Sequence, residues 1–435
     1  MKNLLHFAKV NQRKWYANLA FSLLVLSPFA TAQDCNSPHW VAAWQSAPAD
    51  AIFLSPRVGD YDFLSLGKNQ TFREIFSPLG GGSTLRLHFS NRFGKQSLQI
   101  KAISVAKQTE GAAIDASTLK PVLFNGQSSI TIPAYQDRVS DAVSFDFNSF
   151  DKLSVSIAVI DAGGFPTEHY NAQEFSFVTK PNTGNHVNDV NGSAFSQKTT
   201  RRHMLIGMDA IASAATSVVV TLGDSITDGT NINASSIGEN SRYPDFLKRR
   251  IDSAGLPLFV ANAGIAGNRV VGGNLFITGP AATERYLKDV LQKNGVSDVI
   301  LLEGINDIGM DFYKFLDYSY RYQQIINGYK TLITGMQRQG IKVTQGTLTP
   351  ASKAPVFSYS TPFALQLRQD INWWIRNKSP ANVIVDFDAA VRDSSNPELI
   401  NTLYDSGDGL HFNAAGYAKM AAAIDLSKLQ GSVCR

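Results

Sequence analysis

A serine that could act as a nucleophile follows a short run of β-branched and leucine residues in the second half of the chain. Residues 218–222 are typical of a strand buried on both faces, and they lead directly into Gly223-Asp224-Ser225. Open α/β sheets carry their functional groups at the carboxyl ends of strands, where this hydroxyl would lie. A serine in a turn rich in glycine and aspartate can also serve turn geometry alone. A catalytic interpretation of Ser225 therefore requires a base, and an acceptor that orients the base.

His411 is the only candidate for that base in the second half of the chain, because the other six of the seven histidines precede residue 204. It ends the segment Asp408-Gly409-Leu410-His411. A lone histidine can also be structural, but this one follows an aspartate at a spacing of three residues. Asp408 can turn back to accept a hydrogen bond from Nδ1, which leaves Nε2 for Ser225. We therefore predict Ser225, His411 and Asp408 as the catalytic residues.

Acyl transfer by a serine also needs hydrogen-bond donors for the oxyanion, and two further loops could supply them. Residues 262–268 follow the second predicted strand, where glycine lets a backbone amide approach a ligand closely. Asn306 follows the third predicted strand and can offer a side-chain amide. Each loop alone is an ordinary glycine- and asparagine-rich connection. Together they would meet Ser225 at one edge of the same sheet.

The elements that must position these residues are predicted from the change in hydrophobic pattern along the chain. Residues 36–212 contain short stretches of alternating apolar and polar residues, for example 85–89, 143–147 and 153–159. Turn signals such as Asn125-Gly126 separate them. This pattern predicts an all-β region of the sandwich or jelly-roll type, with a domain spanning residues 33–212.

A joint of small residues at 213–217 precedes a different pattern. Apolar strands at 218–222, 259–262, 299–302, 342–346 and 383–387 now alternate with amphipathic segments that end at glycine. Alternation at this spacing predicts a parallel five-stranded sheet covered by helices, in a domain spanning residues 217–430. Asn413 is a suitable N-cap for the last helix.

Four blocks of this region resemble the GDSL esterase/lipase family, the SGNH hydrolases. They are Gly-Asp-Ser-Ile-Thr-Asp-Gly from residue 223, the loop around Gly267, Gly-Ile-Asn-Asp from residue 304 and Asp-Gly-Leu-His from residue 408. They occur in family order and the similarity covers about residues 218–427. One departure is Ile226, where the family name has leucine.

The resemblance implies a flavodoxin-like α/β/α sandwich that hydrolyses esters through an acyl-enzyme. It implies that Ser225 is the nucleophile, with Asp408 and His411 completing the triad. It also implies an oxyanion hole made of the backbone amides of Ser225 and Gly267 and the side chain of Asn306.

The first half of the chain is more loosely similar to a secreted bacterial two-domain subgroup of this family. The similarity rests on Trp-Val-Ala-Ala-Trp from residue 40 and Ser-Asn-Arg-Phe-Gly from residue 90. In such proteins a β-domain precedes the hydrolase, as it also does in some carbohydrate esterases. The resemblance suggests an acylated saccharide as substrate.

Residues 1–32 have the pattern of a signal peptide. A basic start precedes an apolar stretch that is too short to span a membrane, and Ala30-Thr31-Ala32 forms a small-x-small cleavage site before Gln33. An uncleaved anchor is the alternative. We predict an exported protein, periplasmic or extracellular.

The leader holds four of the forty basic residues of the chain. The mature protein would therefore have 36 basic and 36 acidic residues and a net charge of zero, so nucleic acid is not expected as a partner.

The chain has two cysteines, Cys35 and Cys434, one near each end. Export favours a disulfide between them, with two free thiols as the alternative. Two cysteines provide too few ligands for a zinc site.

The chain also lacks a P-loop, a dinucleotide fingerprint, a His-Glu-x-x-His motif and the Gly-x-Ser-x-Gly elbow of the α/β-hydrolase fold. We therefore expect no metal and no organic cofactor.

The function predicted from the sequence is hydrolysis of carboxylic esters, with an acylated saccharide or an acyl lipid as substrate. An acyltransferase that uses the same acyl-enzyme is the alternative, and a lipase or phospholipase is a variant of the first prediction. A saccharide-binding protein without catalysis is disfavoured, because Ser225, Asn306, Asp408 and His411 are all present.

Overall fold

The computed structural model describes residues 37–50, 67–272, 278–310, 317–354 and 358–431. The predicted leader and both cysteines lie outside these residues. Residues 35–435 belong to one compact unit, so the antiparallel and the parallel part of the chain are not separated. The change between them falls after Ala212, where the last antiparallel strand ends, and before Ser217, where the first parallel strand begins.

Fourteen strands of the described residues precede this change. They are β1 (His39–Gln45), β2 (Lys68–Phe76), β3 (Gly82–Ser90), β4 (Leu98–Lys107), β5 (Lys120–Val122), β6 (Ile130–Ile132), β7 (Asp137–Val139), β8 (Val143–Phe147), β9 (Leu153–Asp161), β10 (Glu168–His169), β11 (Ser176–Val178), β12 (Gln197–Thr199), β13 (Arg202–His203) and β14 (Leu205–Ala212).

These strands form antiparallel sheets. One sheet has the order β1-β14-β3-β7, with β8 also paired to β3, and a second has the order β12-β11-β2-β9-β4-β5, with β6 paired to β4. A short ribbon pairs β10 with β13. Leu85 and Phe89 of the first sheet share one apolar core with Phe72, Val155 and Ile157 of the second. The predicted all-β region is confirmed, and two sheets that share a core are typical of a sandwich.

The second part of the chain is a parallel sheet between two layers of helices. Its strands are β15 (Ser217–Gly223), β16 (Leu258–Gly264), β17 (Val296–Leu302), β18 (Lys342–Gly346) and β19 (Val383–Val385), in the order β16-β15-β17-β18-β19. Its helices are α1 (Ser225–Asp228), α2 (Tyr243–Ser253), α3 (Ala282–Tyr286), α4 (Ile305–Gly309), α5 (Tyr318–Gln337), α6 (Pro362–Lys378), α7 (Phe387–Val391) and α8 (Ala414–Ala423). This strand order is that of a flavodoxin-like fold, which confirms the fold predicted from the sequence.

Alternate residues of the central strands pack on opposite faces. On β15, Val218 and Val220 join a core that includes side chains of α3, α5 and α6, whereas Val219 joins a core with α2, α7 and α8. Both faces are therefore covered, which explains why these strands are apolar throughout. Among the described residues, no helix is both long and apolar enough to cross a membrane.

The fifth strand is shorter than the sequence pattern predicts. β19 ends at Val385 instead of continuing to Phe387, because the Asp386 side chain accepts a hydrogen bond from Ala389 N and caps α7. The long helix α6 was not identified from the sequence. Its N-cap Thr361, followed directly by Pro362, is a start signal that could have revealed it.

The β-rich part contributes directly to the core of the parallel part. Val41 lies in β1 and Ala47 lies two residues after its end. Both are fully buried in the core that contains α5 and α6. Ala42 N donates a hydrogen bond of 3.0 Å to Asn294 O, two residues before β17. The edge of the sandwich is thus packed against the parallel sheet.

Candidate active site

Ser225 lies at the first residue of α1, immediately after the central strand β15. The turn that exposes it requires Gly223, because a Cβ there would lie 2.1 Å from Leu302 O and from Thr227 Oγ1. The Asp224 side chain accepts a hydrogen bond of 2.9 Å from Ile226 N and caps the helix. The N–H of Ser225, in the first turn, has no acceptor within the helix and can point to a ligand.

His411 connects Ser225 to Asp408 by two short contacts. Its Nε2 lies 2.9 Å from Ser225 Oγ, and its Nδ1 lies 2.7 Å from Asp408 Oδ2. The other carboxylate oxygen, Oδ1, accepts hydrogen bonds from His411 N at 2.8 Å and from Leu410 N at 3.0 Å. The aspartate therefore holds both the ring and the backbone of the histidine.

The charge of Asp408 decides which ring nitrogen carries the proton. Burial alone would raise the pKa of Asp408, but the hydrogen bond and charge of His411 and two backbone N–H groups lower the pKa to about 2. The carboxylate is ionised and can only accept, so the proton of a neutral imidazole belongs on Nδ1. Nε2 is then free to accept the proton of Ser225 Oγ, which is the arrangement of a general base.

Gly267 lies in a tight turn that we call the oxyanion loop (residues 265–268). Asn268 N donates a hydrogen bond of 3.0 Å to Ile265 O, and Gly267 has a φ of +78°. This is the geometry of a type II turn with glycine at its third position. A Cβ on Gly267 would also lie 2.8 Å from Thr278 Cγ2. Ala266 N donates a hydrogen bond of 3.2 Å to Asp228 Oδ2, so the loop is tied to the end of α1.

Asn306, in α4, has its amide group fixed at both ends. Its Nδ2 donates a hydrogen bond of 2.9 Å to Asn268 O, at the end of the oxyanion loop. Its Oδ1 accepts a hydrogen bond of 2.6 Å from the hydroxyl of Tyr359. Burial raises the pKa of Tyr359, so its hydroxyl remains a donor. Because Nδ2 has two hydrogens, one remains available for a ligand.

The structure brings the predicted residues together at the carboxyl edge of the sheet. Ser225, His411 and Asp408 form one chain of hydrogen bonds. Gly267 and Asn306 are neighbours through the carbonyl of Asn268. The proposed disulfide partners, Cys35 and Cys434, lie outside the described residues.

Tyr359 was not predicted from the sequence. It precedes α6 and is 53 residues away from its partner Asn306. Its ring packs so closely on Gly309 that a Cβ there would lie 1.8 Å from Tyr359 Cδ1. No local pattern marks a tyrosine in such a loop, and the contact depends on the tertiary fold.

Buried carboxyl groups lie beneath the site, at the ends of neighbouring strands. Burial and the nearby charge of Asp307 raise the pKa of Asp224 to about 7, and burial raises the pKa of Asp307 to about 6. Burial and the charge of Asp224 also raise the pKa of Glu303, although Arg285 Nη2 lies 3.7 Å from Glu303 Oε2. These groups hold protons more readily than exposed carboxylates, which limits negative charge below the serine.

An open α/β sheet with a serine, an imidazole and a carboxylate at its carboxyl edge is typical of serine hydrolases. Residues 221–419 match the model of the GDSL-like lipase/acylhydrolase family. The C-terminal part of the chain is therefore a GDSL-like acylhydrolase domain, and the protein is a carboxylic-ester hydrolase. Both agree with the predictions from the sequence.

Solved structures similar to this chain match only about half of it. The carbohydrate acetylesterase Est24 from Sinorhizobium meliloti has 14% identity and a TM-score of 0.36, with 48% of this chain and 95% of that chain covered. The native aryl esterase of M. smegmatis has 15% identity and a TM-score of 0.36, with 48% and 95% covered. A GDSL-like lipase from Bacteroides thetaiotaomicron has 20% identity and a TM-score of 0.33, with 47% and 84% covered. No curated protein matches the sequence.

Proposed function

We propose that the protein is an exported serine esterase that cleaves carboxylic esters through an acyl-enzyme on Ser225. The observation that carries the proposal is the chain from Ser225 Oγ to His411 Nε2 (2.9 Å) and from His411 Nδ1 to Asp408 Oδ2 (2.7 Å). Both distances are within hydrogen-bond reach, which a general base requires.

In the first half of the reaction, Ser225 Oγ attacks the ester carbonyl carbon while its proton moves to His411 Nε2. The carbonyl oxygen becomes an oxyanion, and the protonated His411 is stabilised by Asp408. His411 then gives the proton from Nε2 to the departing alkoxide as the carbon–oxygen bond breaks. The products of this half are the alcohol and an acyl group on Ser225.

In the second half, a water molecule takes the place of the alcohol. His411 Nε2 accepts a proton from the water as its oxygen attacks the acyl carbon. Collapse of the second oxyanion breaks the bond to Ser225 Oγ, which recovers the proton from His411. The carboxylic acid leaves and the enzyme returns to its starting state.

In this mechanism, three donors stabilise both oxyanions. They are the backbone N–H groups of Ser225 and Gly267 and the free Nδ2 hydrogen of Asn306. The type II turn at Gly267 and the fixed amide of Asn306 support this role, because neither group has to reorganise as charge develops. The N–H of Ser225 is supplied by the first turn of α1, which also carries the nucleophile.

We further propose that the natural substrate is an acylated saccharide or an acyl lipid. A panel of p-nitrophenyl esters from acetate to palmitate, assayed beside acetylated xylan and a phospholipid, separates these classes. The purified enzyme should hydrolyse at least one ester of the panel, and Ser225→Ala should lose that activity while remaining folded. Equal activity of the wild type and Ser225→Ala would overturn the mechanism.

A further inference from the structure

His169 is a buried histidine in β10, which lies in the β-rich part and outside the residues that match the hydrolase family. Its Nδ1 lies 2.8 Å from Ala47 O, and its Nε2 lies 3.0 Å from Asp228 Oδ1. Asp228 is the last residue of the helix that begins with Ser225. The β-rich part therefore makes a polar contact with the element that carries the nucleophile.

Both ring nitrogens of His169 face oxygen atoms that accept hydrogen bonds. The carbonyl of Ala47 can only accept, so Nδ1 of His169 carries a proton and donates to it, while Nε2 faces the carboxyl group of Asp228. Burial and the positive charge of Arg202 lower the pKa of His169, but the charge of Asp228 and the two hydrogen bonds more than offset them, and the pKa is raised. The contact is thus a buried, hydrogen-bonded pair in which the charge of Asp228 favours the protonated form of His169.

The second oxygen of Asp228 extends this contact to the oxyanion loop. Asp228 Oδ2 accepts the hydrogen bond from Ala266 N at 3.2 Å, and Ala266 directly precedes Gly267. Asn171, two residues after His169, donates a hydrogen bond of 2.7 Å to Thr230 Oγ1, and Thr230 N donates one of 2.8 Å to Ser225 O. One segment of the β-rich part therefore holds both the oxyanion loop and the end of α1.

We propose that the pair His169–Asp228 is a positioning element for the oxyanion loop, through which the β-rich part controls the rate of ester hydrolysis. Removing the donor at His169 leaves Asp228 Oδ1 buried without the hydrogen bond that orients the carboxylate, so the carboxylate shifts and no longer holds Ala266. The N–H of Gly267 then moves away from the position of the oxyanion. Because the oxyanion forms fully only in the transition state, kcat should fall and KM should not.

The proposal rests on the proposed esterase function, and its test compares two variants of one residue. His169→Phe keeps a ring of similar size and removes both donors, whereas His169→Gln keeps an amide donor for Asp228. We expect His169→Phe to lower kcat on p-nitrophenyl acetate by about tenfold or more, with KM within about twofold of wild type. His169→Gln should retain kcat within about threefold of wild type.

A second measurement reports the oxyanion hole directly. Phenylboronic acid forms a tetrahedral adduct with a serine nucleophile and places an oxygen where the oxyanion forms. Its inhibition constant should rise in His169→Phe by about the same factor as kcat falls, and it should not rise in His169→Gln. A change in folding stability alone does not produce this parallel loss.

Asn294→Ala is the matched control, because it also removes a contact between the two parts of the chain. Asn294 lies two residues before β17, at the edge of the parallel sheet opposite to Ser225, and its Nδ2 donates a hydrogen bond of 2.8 Å to Asp209 Oδ2 of β14. We expect wild-type kcat and inhibition by phenylboronic acid. A loss equal to that of His169→Phe would overturn the proposal, because any weakening of the contact would then have the same effect.

The remaining outcomes are equally decisive. Wild-type kcat in folded His169→Phe, or equal losses in His169→Phe and His169→Gln, would overturn the proposal while leaving the esterase function intact. An inactive wild type would overturn the esterase function and this inference with it. If His169→Phe does not fold, Asp228→Asn and Asp228→Val replace the two variants. The asparagine side chain offers an acceptor to Ala266 N and a donor to neutral His169, whereas the valine side chain offers neither. Only Asp228→Val should therefore show a lower kcat.

Discussion

The hydroxyl of Tyr359 donates a hydrogen bond of 2.6 Å to Oδ1 of Asn306, and this contact fixes the direction of the amide group. In the opposite orientation, Oδ1 of Asn306 would face the carbonyl oxygen of Asn268, which Nδ2 now contacts at 2.9 Å. Two acceptors at that distance repel each other. Tyr359 and Asn268 together therefore fix the orientation of the Asn306 amide and leave its second Nδ2 hydrogen for the oxyanion role that we propose.

Tyr359→Phe should lower kcat while leaving KM close to wild type. The variant keeps the ring that packs on Gly309 and removes only the hydroxyl, so Asn306 loses one of its two fixed contacts. We expect kcat to fall by about tenfold, because the lost orientation matters mainly when the oxyanion forms. Steady-state kinetics on the best ester, with thermal melts, test this. A drop in melting temperature without a change in kcat would show that Tyr359 only packs.

Asn306→Ala should have a larger effect on kcat than Tyr359→Phe. It removes the donor itself, and deletion of one oxyanion donor typically lowers kcat by ~10²–10³. The change also leaves Asn268 O and the Tyr359 hydroxyl without this partner, so a modest loss of stability is expected as well. Kinetic constants of the double variant Asn306→Ala/Tyr359→Phe provide the control. If Tyr359 acts through Asn306, adding the second change should have little further effect on kcat.

Asp408→Asn should inactivate the enzyme by placing the imidazole proton on the wrong nitrogen. The backbone N–H groups of His411 and Leu410 require an acceptor at Oδ1, so the new amide would present its NH₂ group to Nδ1 of His411. Nδ1 must then accept, the proton moves to Nε2, and Nε2 can no longer take the proton of Ser225. We expect kcat to fall by ~10⁴, as for loss of the correct tautomer in other triads. An active Asp408→Asn variant at neutral pH would contradict this assignment.

Asp209 should make the stability of the β-rich part depend on acid pH. Burial would raise its pKa, but the hydrogen bond and charge of His88 and the charge of Arg86 lower it to about 2. A carboxylate with a lowered pKa stabilises the fold above its unfolded pKa of about 4 and loses that effect as the pH falls towards 2. The shift corresponds to roughly 2 kcal/mol at pH 7.

Urea unfolding at pH 7 and pH 3 tests this prediction. Asp209→Asn should be destabilised at pH 7, and the difference from wild type should shrink by about half at pH 3. Asp146→Asn is the matched control, because Asp146 is exposed on β8, which pairs with β3 in the same sheet. The same pH dependence in both variants would rule out a specific role for Asp209.

The mature protein should begin at Gln33 and contain a disulfide between Cys35 and Cys434. The described ends of the chain both contact residues around the start of β17: Ala42 N donates a hydrogen bond to Asn294 O, and Gln430 N donates one of 2.7 Å to Asp298 Oδ1. Closing so long a loop is worth about 5 kcal/mol in chain-entropy models. Intact mass and thiol labelling of the exported protein test both points. Two reactive thiols would contradict the disulfide, and a retained leader would contradict the cleavage.

The sequence predicted the parts of the site that are local in the chain. Ser225 follows its own strand, and Asp408 and His411 are three residues apart, so strand pattern, spacing and the absence of another histidine in this half predicted the contacts that the structure contains. Tyr359 and His169 could not be predicted in this way, since they meet Asn306 and Asp228 across 53 and 59 residues of sequence. Such contacts depend on how strands and loops pack, and neither side chain carries a local signal.

For the fold, too, local features were predictable from the sequence and long-range pairing was not. Alternating and continuous apolar strands were sufficient to predict an antiparallel region followed by a parallel sheet. The sequence predicted the end of β19 two residues too late. Phe387 is apolar and continues the strand pattern, but it begins α7, because Asp386 acts as the N-cap of that helix. The order of the fourteen antiparallel strands could not be derived, since pairing between distant strands leaves no trace in a single sequence.

The buried position of Val41 and Ala47 has a consequence for how such a protein can change over evolution. Both residues belong to the first described segment of the β-rich part, yet they complete the core beneath α5 and α6. A hydrolase excised from residue 217 onwards would present a bare apolar surface there, and a different N-terminal partner would have to refill it. The two halves are therefore not interchangeable modules joined by a linker, and gene rearrangements would have to transfer them together.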